Sequence, residues 1–187
     1  MRIAAILTGG KSRRMGEDKA LLDLGGERLV DRVIARVSPQ VDQVCLVGPT
    51  DYGTGLTIIS DDPAFRGPLA GIFGALAWME AHHADVEGFL TAPVDAPNCP
   101  HDLYAKLTAM PGSAMAADAE RIHPTFAYWQ CAELAKTRDG VDASGSLHSL
   151  AEAVGAWPVA WPTSAPFLNL NTPEEAQAFL AQEKAIG

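Results

Sequence analysis

The segment Ile3-Ala4-Ala5-Ile6-Leu7 is an unbroken apolar run stopped at once by Thr8-Gly9-Gly10. Five apolar residues without alternation predict a strand buried on both faces, as in the interior of a parallel sheet. Such a strand needs layers above and below it, so the rest of the chain must supply helices for both faces. Apolar residues at Leu29, Val30, Val33, Ile34 and Val37 have helical spacing, ending before Pro39. Further helices are predicted over Pro68 to Met79, Leu103 to Met110, Glu133 to Arg138, Leu147 to Val154 and Pro173 to Lys184. Strands are predicted at Val44 to Val47, Leu56 to Ile59, Phe89 to Ala92, Ser113 to Ala117 and Thr125 to Trp129. The last third of the chain, richer in proline and aromatics (Trp157-Pro158, Trp161-Pro162, Pro166-Phe167), is expected to form a small substrate-facing lobe. Strands alternating with helices imply βαβ units, hence an α/β fold with a mostly parallel central sheet flanked by helices. The length, 187 residues without repeat or linker, predicts one domain over 1–187.

Charge narrows the function. The net charge is −9, which opposes binding to a nucleic-acid backbone. Yet Arg2, Lys11, Arg13, Arg14 and Lys19 place five of the fourteen basic residues in the first nineteen positions, a concentration suited to a small anionic substrate. Cys45, Cys99 and Cys131 form no CxxC pair, so neither a disulfide framework nor a zinc knuckle is expected. No apolar stretch reaches the roughly 18 residues of a membrane span, and the first apolar segment is too short for a signal peptide. The expected location is the cytoplasm.

In an open parallel sheet, ligands bind beyond the carboxyl ends of the strands. Four segments there carry polar groups. Thr8-Gly9-Gly10 and the basic residues that follow form a loop whose N–H groups can approach a phosphate, with Arg14 and Lys19 supplying charge; it matches neither a Walker A motif nor GxGxxG. Asp61-Asp62 precedes Gly67-Pro68-Leu69-Ala70-Gly71, and a carboxylate there can accept from the N–H edge of a base. Asp95, between Pro93 and Pro97, is rigidly placed to hold Mg²⁺, which commonly takes one or two carboxylates plus phosphate oxygens and water. Thr172-Pro173-Glu174-Glu175 reads as a capping box, leaving Asn169 and Asn171 to complete a metal or phosphate shell. His123 reads as a hydrogen-bonded structural histidine, and Ser144, Ser146 and His148 lack a nucleophile-elbow motif.

The strings LTGGKSRRMGEDKALL, GPLAGI, PVDAP, HPTFA and NLNTPEE, in this order, resemble the molybdenum cofactor guanylyltransferases from Ile3 to about Leu180. The resemblance implies a Rossmann-like nucleotidyltransferase fold that transfers GMP from Mg-GTP to molybdopterin. It implies Leu7, Thr8, Gly9 and Gly10 as the GTP loop, Arg14 and Lys19 as its catalytic cations, and Asp61 as the guanine-site carboxylate. Asp95 becomes the Mg²⁺ ligand, and Asn169 and Asn171 fall on the pterin side. Its implied partners are GTP and molybdopterin, with transient contacts to cofactor-biosynthesis proteins or apo-molybdoenzymes, and the chain is expected to be a monomer. Three departures stand out: Thr8 for the usual alanine, Gly48-Pro49 where an Asn is expected, and no Lys or Arg between Asp139 and Glu183. A cytidylyltransferase would carry Ala-Ala-Gly and Asp-Gln-Pro where this chain has Thr8-Gly9-Gly10 and Asp95-Ala96-Pro97, which favours guanine. A non-catalytic cofactor-binding adaptor has no need to keep Arg14, Lys19 and Asp95 together.

Overall fold

Residues 1–9 and 18–186 are described in a computed structural model of the chain. Seven strands form one sheet: β1 (Ile3–Leu7), β2 (Gln43–Val47), β3 (Thr57–Ile59), β4 (Gly88–Pro93), β5 (Ala114–Ala117), β6 (Ile122–Gln130) and β7 (Trp157–Ala160). Their spatial order is β3-β2-β1-β4-β6-β5-β7. The pairings β1–β2, β1–β4, β2–β3 and β5–β7 are parallel, while β6 runs antiparallel to β4 and β5. The sheet is therefore mixed but mostly parallel. β1 lies inside it with all five residues buried, as its unbroken apolar run requires.

Successive side chains of a strand point to opposite faces. Ile3, Ala5 and Leu7 join one core with α2 (Pro68–His82), α4 (Cys131–Thr137) and α5 (Leu147–Ala153). Ala4 and Ile6 join another with α1 (Leu29–Val37) and α3 (Leu103–Leu107). Helices thus cover both faces. The last helix, α6 (Pro173–Ile186), packs Ala176 and Phe179 on Leu24 and Leu29.

Two expectations are corrected. Trp157–Ala160 is no lobe but an edge strand, β7, in register with Ala114–Ala117; Pro158 is tolerated because an edge strand has a side on which its missing N–H costs no ladder bond. β6 starts earlier than its apolar pattern suggests, at Ile122, because the β5–β6 register shifts between Met115 and Ala116 and so accommodates Pro124.

The topology fixes where a ligand goes. From β1 the chain moves to β2 and β3 on one side, then crosses through α2 to β4 on the other side of β1. That reversal opens a crevice at the carboxyl ends of β1 and β4, between the Thr8-Gly9 exit and Asp95.

Candidate active site

Three of the four polar segments meet at Lys19, and the fourth faces Gly9. Lys19 begins a 3-10 turn, Lys19–Leu21, whose N-cap Asp18 accepts from the Ala20 N–H at 3.1 Å. The Lys19 Nζ stands 3.6 Å from Asp95 Oδ2 and donates to Asn171 Oδ1. The backbone at Asp95 is held at two points: Val94 N donates to Leu7 O at 3.1 Å, and Leu170 N donates to Asp95 O at 2.7 Å. β1, β4 and the segment before α6 are thereby stitched together around one carboxylate. Thr172 and Glu175 form the expected capping box, with Glu175 N donating to Thr172 Oγ1 at 3.1 Å and Thr172 N to Glu175 Oε2 at 3.2 Å. That cap fixes the segment carrying Asn171.

The Asp95 side chain is 19% exposed, and its Oδ1 is buried with no hydrogen-bond partner among the described residues. Burial pushes its pKa up, opposed by the charge of Lys19. A desolvated carboxylate oxygen with nothing to accept from is costly and calls for a cation. No cluster of three or more His, Cys, Asp or Glu able to hold a metal is present among the described residues. A cation here would rest on Asp95 plus ligand oxygens and water, which suits Mg²⁺ rather than an all-protein cage.

On the other side, the Asp61 carboxylate lies over Gly9. A methyl group on Gly9 would sit 3.7 Å from Asp61 Oδ2, filling the space through which a base could approach it. Desolvation raises the Asp61 pKa. Its neighbour Asp62 has the opposite fate. Buried, it pairs with Arg138 and accepts from Ala64 N at 2.9 Å, while its own N–H donates to Ala70 O at 2.8 Å. The acidic pair thus divides into one anchor and one carboxylate facing the crevice. The helix α2 reaches the strand ends through Gly71 and Gly74. A Cβ on Gly71 would come within 3.3 Å of Leu7 Cδ2, and one on Gly74 would overlap Ser60 O.

Residues 4–154 match the family described as MobA-like NTP transferase domain. A protein of Rhodopseudomonas palustris named molybdenum cofactor guanylyltransferase is 38% identical, covering 92% of this chain and 89% of its own. One of the same name from Cereibacter sphaeroides is 38% identical, covering 91% of each. The chain belongs to the MobA-like NTP transferase family. Among solved structures, the molybdopterin-guanine dinucleotide biosynthesis protein A of Archaeoglobus fulgidus superposes with a TM-score of 0.71 at 21% identity, covering 99% of this chain and 100% of its own. The activity that goes with this family is nucleotidyl transfer.

Within this MobA-like site, Gly10 and Arg14 lie outside the described residues. Thr8 turns inward: its hydroxyl and its N–H both donate to Val47 O at 2.9 Å, which ties the start of the loop to β2. A Cβ on Gly48 would overlap that hydroxyl. Thr8 and Gly48 therefore pack as a pair. Asn169, unlike Asn171, lines a separate groove beside β6.

Tyr52 is a site residue that the sequence reading passed over. Its backbone is held at φ 54°, a conformation unusual for a bulky residue, and Arg28 donates to its carbonyl at 2.6 Å. Its hydroxyl donates to Asp18 Oδ2 at 2.9 Å, steadying the turn that carries Lys19. The available signal was Tyr52-Gly53, a polar aromatic at a glycine turn just after β2.

Proposed function

We propose that this crevice transfers GMP from Mg-GTP to molybdopterin, forming the molybdopterin guanine dinucleotide and pyrophosphate, with the residues above in defined roles. The observation that carries the reading is the buried, unpartnered Oδ1 of Asp95 beside Lys19 at the point where the strand order reverses. Guanine lies over Gly9, and Asp61 accepts from its N1 and N2 hydrogens. Leu7, Thr8, Gly9 and Gly10 offer backbone to the triphosphate, and Arg14 and Lys19 offer charge. Asp95 holds Mg²⁺, which would supply charge neutralisation on the phosphate oxygens. Asn171 and Asn169 serve the pterin side.

The terminal phosphate of molybdopterin attacks the α-phosphorus in line. A new phosphoanhydride bond forms, the bond from the α-phosphorus to its bridging oxygen breaks, and pyrophosphate leaves with that electron pair. A phosphate nucleophile is already ionised at neutral pH, so no general base is needed. The protein contributes position and fixed charge. Lys19 changes partners in this scheme, leaving Asp95 and Asn171 for the phosphates as the triphosphate arrives.

This reading needs only one domain and one copy of the chain. No helix among the described residues is long and apolar enough to cross a membrane, in keeping with a cytoplasmic enzyme that passes its product to apo-molybdoenzymes. The test is to incubate the protein with molybdopterin, Mg²⁺ and each nucleoside triphosphate separately and identify the dinucleotide by mass. The guanine dinucleotide is expected; its absence would overturn the reading.

A further inference from the structure

Beyond Asp95, on the side away from Asp61, lies an open groove of about 420 Å³. Because β6 runs antiparallel to β4, with Leu90 opposite Tyr128 and Thr91 opposite Ala127, its first residues lie at the carboxyl end of β4. The groove is lined there by Ile122, His123, Pro124 and Thr125, and it is closed by Leu147, Phe167 and Asn169. Phe167 is a rigid floor, buried and stacked on His123 with ring centroids 4.3 Å apart. Asn169 joins the groove to the crevice, since the next residue donates its N–H to Asp95 O.

Its rim carries a cation from outside the 139–183 segment, which has no Lys or Arg. Arg121 and His148 line it, and both are exposed. The Asp118 carboxylate, in the same turn as Arg121, is taken by other partners. Asp118 Oδ2 is taken by His123 Nε2 at 2.9 Å, and Oδ1 by the backbone N–H groups of Glu120 and Arg121 at 2.8 and 2.9 Å. Arg121 thus lines the groove beside the apolar Phe167 without an ion pair to Asp118 among the described residues.

We propose that this groove is the acceptor site, and that Arg121 binds the anionic, phosphorylated heterocycle, a role for which the 139–183 segment has no Lys or Arg, with His148 beside it on the rim. This rests on the guanylyltransferase reading. An apolar floor with a few polar groups at its edge suits a flat ring system, and a planar guanidinium suits phosphate oxygens. The groove is on the correct side of Asp95 for the acceptor, because Asp61 and Gly9 claim the other side for the base.

The test uses the full chain with molybdopterin as probe. Arg121→Gln should raise the KM for molybdopterin at least tenfold while leaving the KM for GTP within twofold. Thr125→Trp, which fills the groove, should act in the same direction, and the exposed cation change Lys136→Gln should move neither constant. Melting curves identify any variant that fails to fold, in which case His148→Gln replaces it. Unchanged molybdopterin KM in folded Arg121→Gln and Thr125→Trp would overturn the proposal. Direct titration of pterin fluorescence without nucleotide separates the two readings. If the wild type makes no dinucleotide, the guanylyltransferase reading fails, while weaker molybdopterin binding by Arg121→Gln supports the groove and equal binding overturns it.

Discussion

Replacing Asp95 by Asn should separate activity from stability in opposite directions. The amide keeps the size of the side chain but removes the charge that a hard dication requires. Loss of about 4 kcal/mol of transition-state stabilisation is about a thousandfold in rate, and dinucleotide formation should fall by at least that order. The fold, by contrast, should not suffer. Asp95 Oδ1 is buried without a partner among the described residues, and leaving a buried acceptor unsatisfied costs about 1–3 kcal/mol. A neutral amide is cheaper to bury than a carboxylate, so the variant should melt at the wild-type temperature or a few degrees above it. The pH dependence has a definite sign. Burial raises the Asp95 pKa in the folded state, so the fold favours the protonated form and the wild type loses stability as pH rises through that raised value. The stability advantage of Asp95→Asn should thus be smallest below about pH 3.9, the ordinary Asp pKa, and grow above it until the folded carboxyl is ionised. Calorimetry across that range, with product quantified by mass, checks both arms. Near-normal turnover would make Asp95 a turn residue. A markedly lower melting temperature at pH 7 would show that its charge stabilises the fold.

GTP should be used and CTP hardly at all, and Asp61→Ala should relax that preference about tenfold or more, since each lost polar contact in such a site costs about 1–3 kcal/mol; product mass from mixed nucleotides reads it. Lys19→Ala should stay folded and lose about 10- to 100-fold in turnover, as expected for a charged hydrogen bond to phosphate of about 1.5–3 kcal/mol, and wild-type kinetics would reduce Lys19 to a surface lysine. Gly48→Ala should lower stability by about 1–3 kcal/mol through overlap with the Thr8 hydroxyl, and adding Thr8→Ala should restore part of it. A strictly additive double mutant in urea unfolding would show that the two positions are not coupled.

The fold was legible wherever a segment's own pattern decides its state. The unbroken run Ile3-Ala4-Ala5-Ile6-Leu7 could only be an inner strand, and it is buried at every position. Trp157–Ala160 was misread because proline and tryptophan suggest loop, whereas pairing with β5 makes it an edge strand. That pairing is tertiary and leaves no local period. In the site, Asp95, Lys19 and Asn171 were named from their places after strands and a helix cap, and the structure brings them together. Asp61 and Asp62 were indistinguishable as an acidic pair until Arg138, 76 residues away from Asp62, claimed one of them. Tyr52 was passed over because its role depends on a backbone turn and a contact with Asp18 across 34 residues.

The two halves of the crevice obey different rules, and this explains which half the sequence disclosed. On the β1, β2 and β3 side every strand is parallel, so each delivers its carboxyl-end residues to the same edge. A reader need only look after each strand to find Gly9, Gly48 and Asp61. At β4 the rule still holds and yields Asp95. The next strand in space, β6, is reversed, so it brings its beginning to that edge. Its contribution therefore comes from the turn before the strand, where Arg121 sits, and from the strand's own first residues His123 and Thr125. The 139–183 segment has no Lys or Arg, but chain order is not sheet order. Following the sheet instead leads from Asp95 across β6 to Arg121, and the positive charge reappears at the edge where an anionic acceptor has to approach.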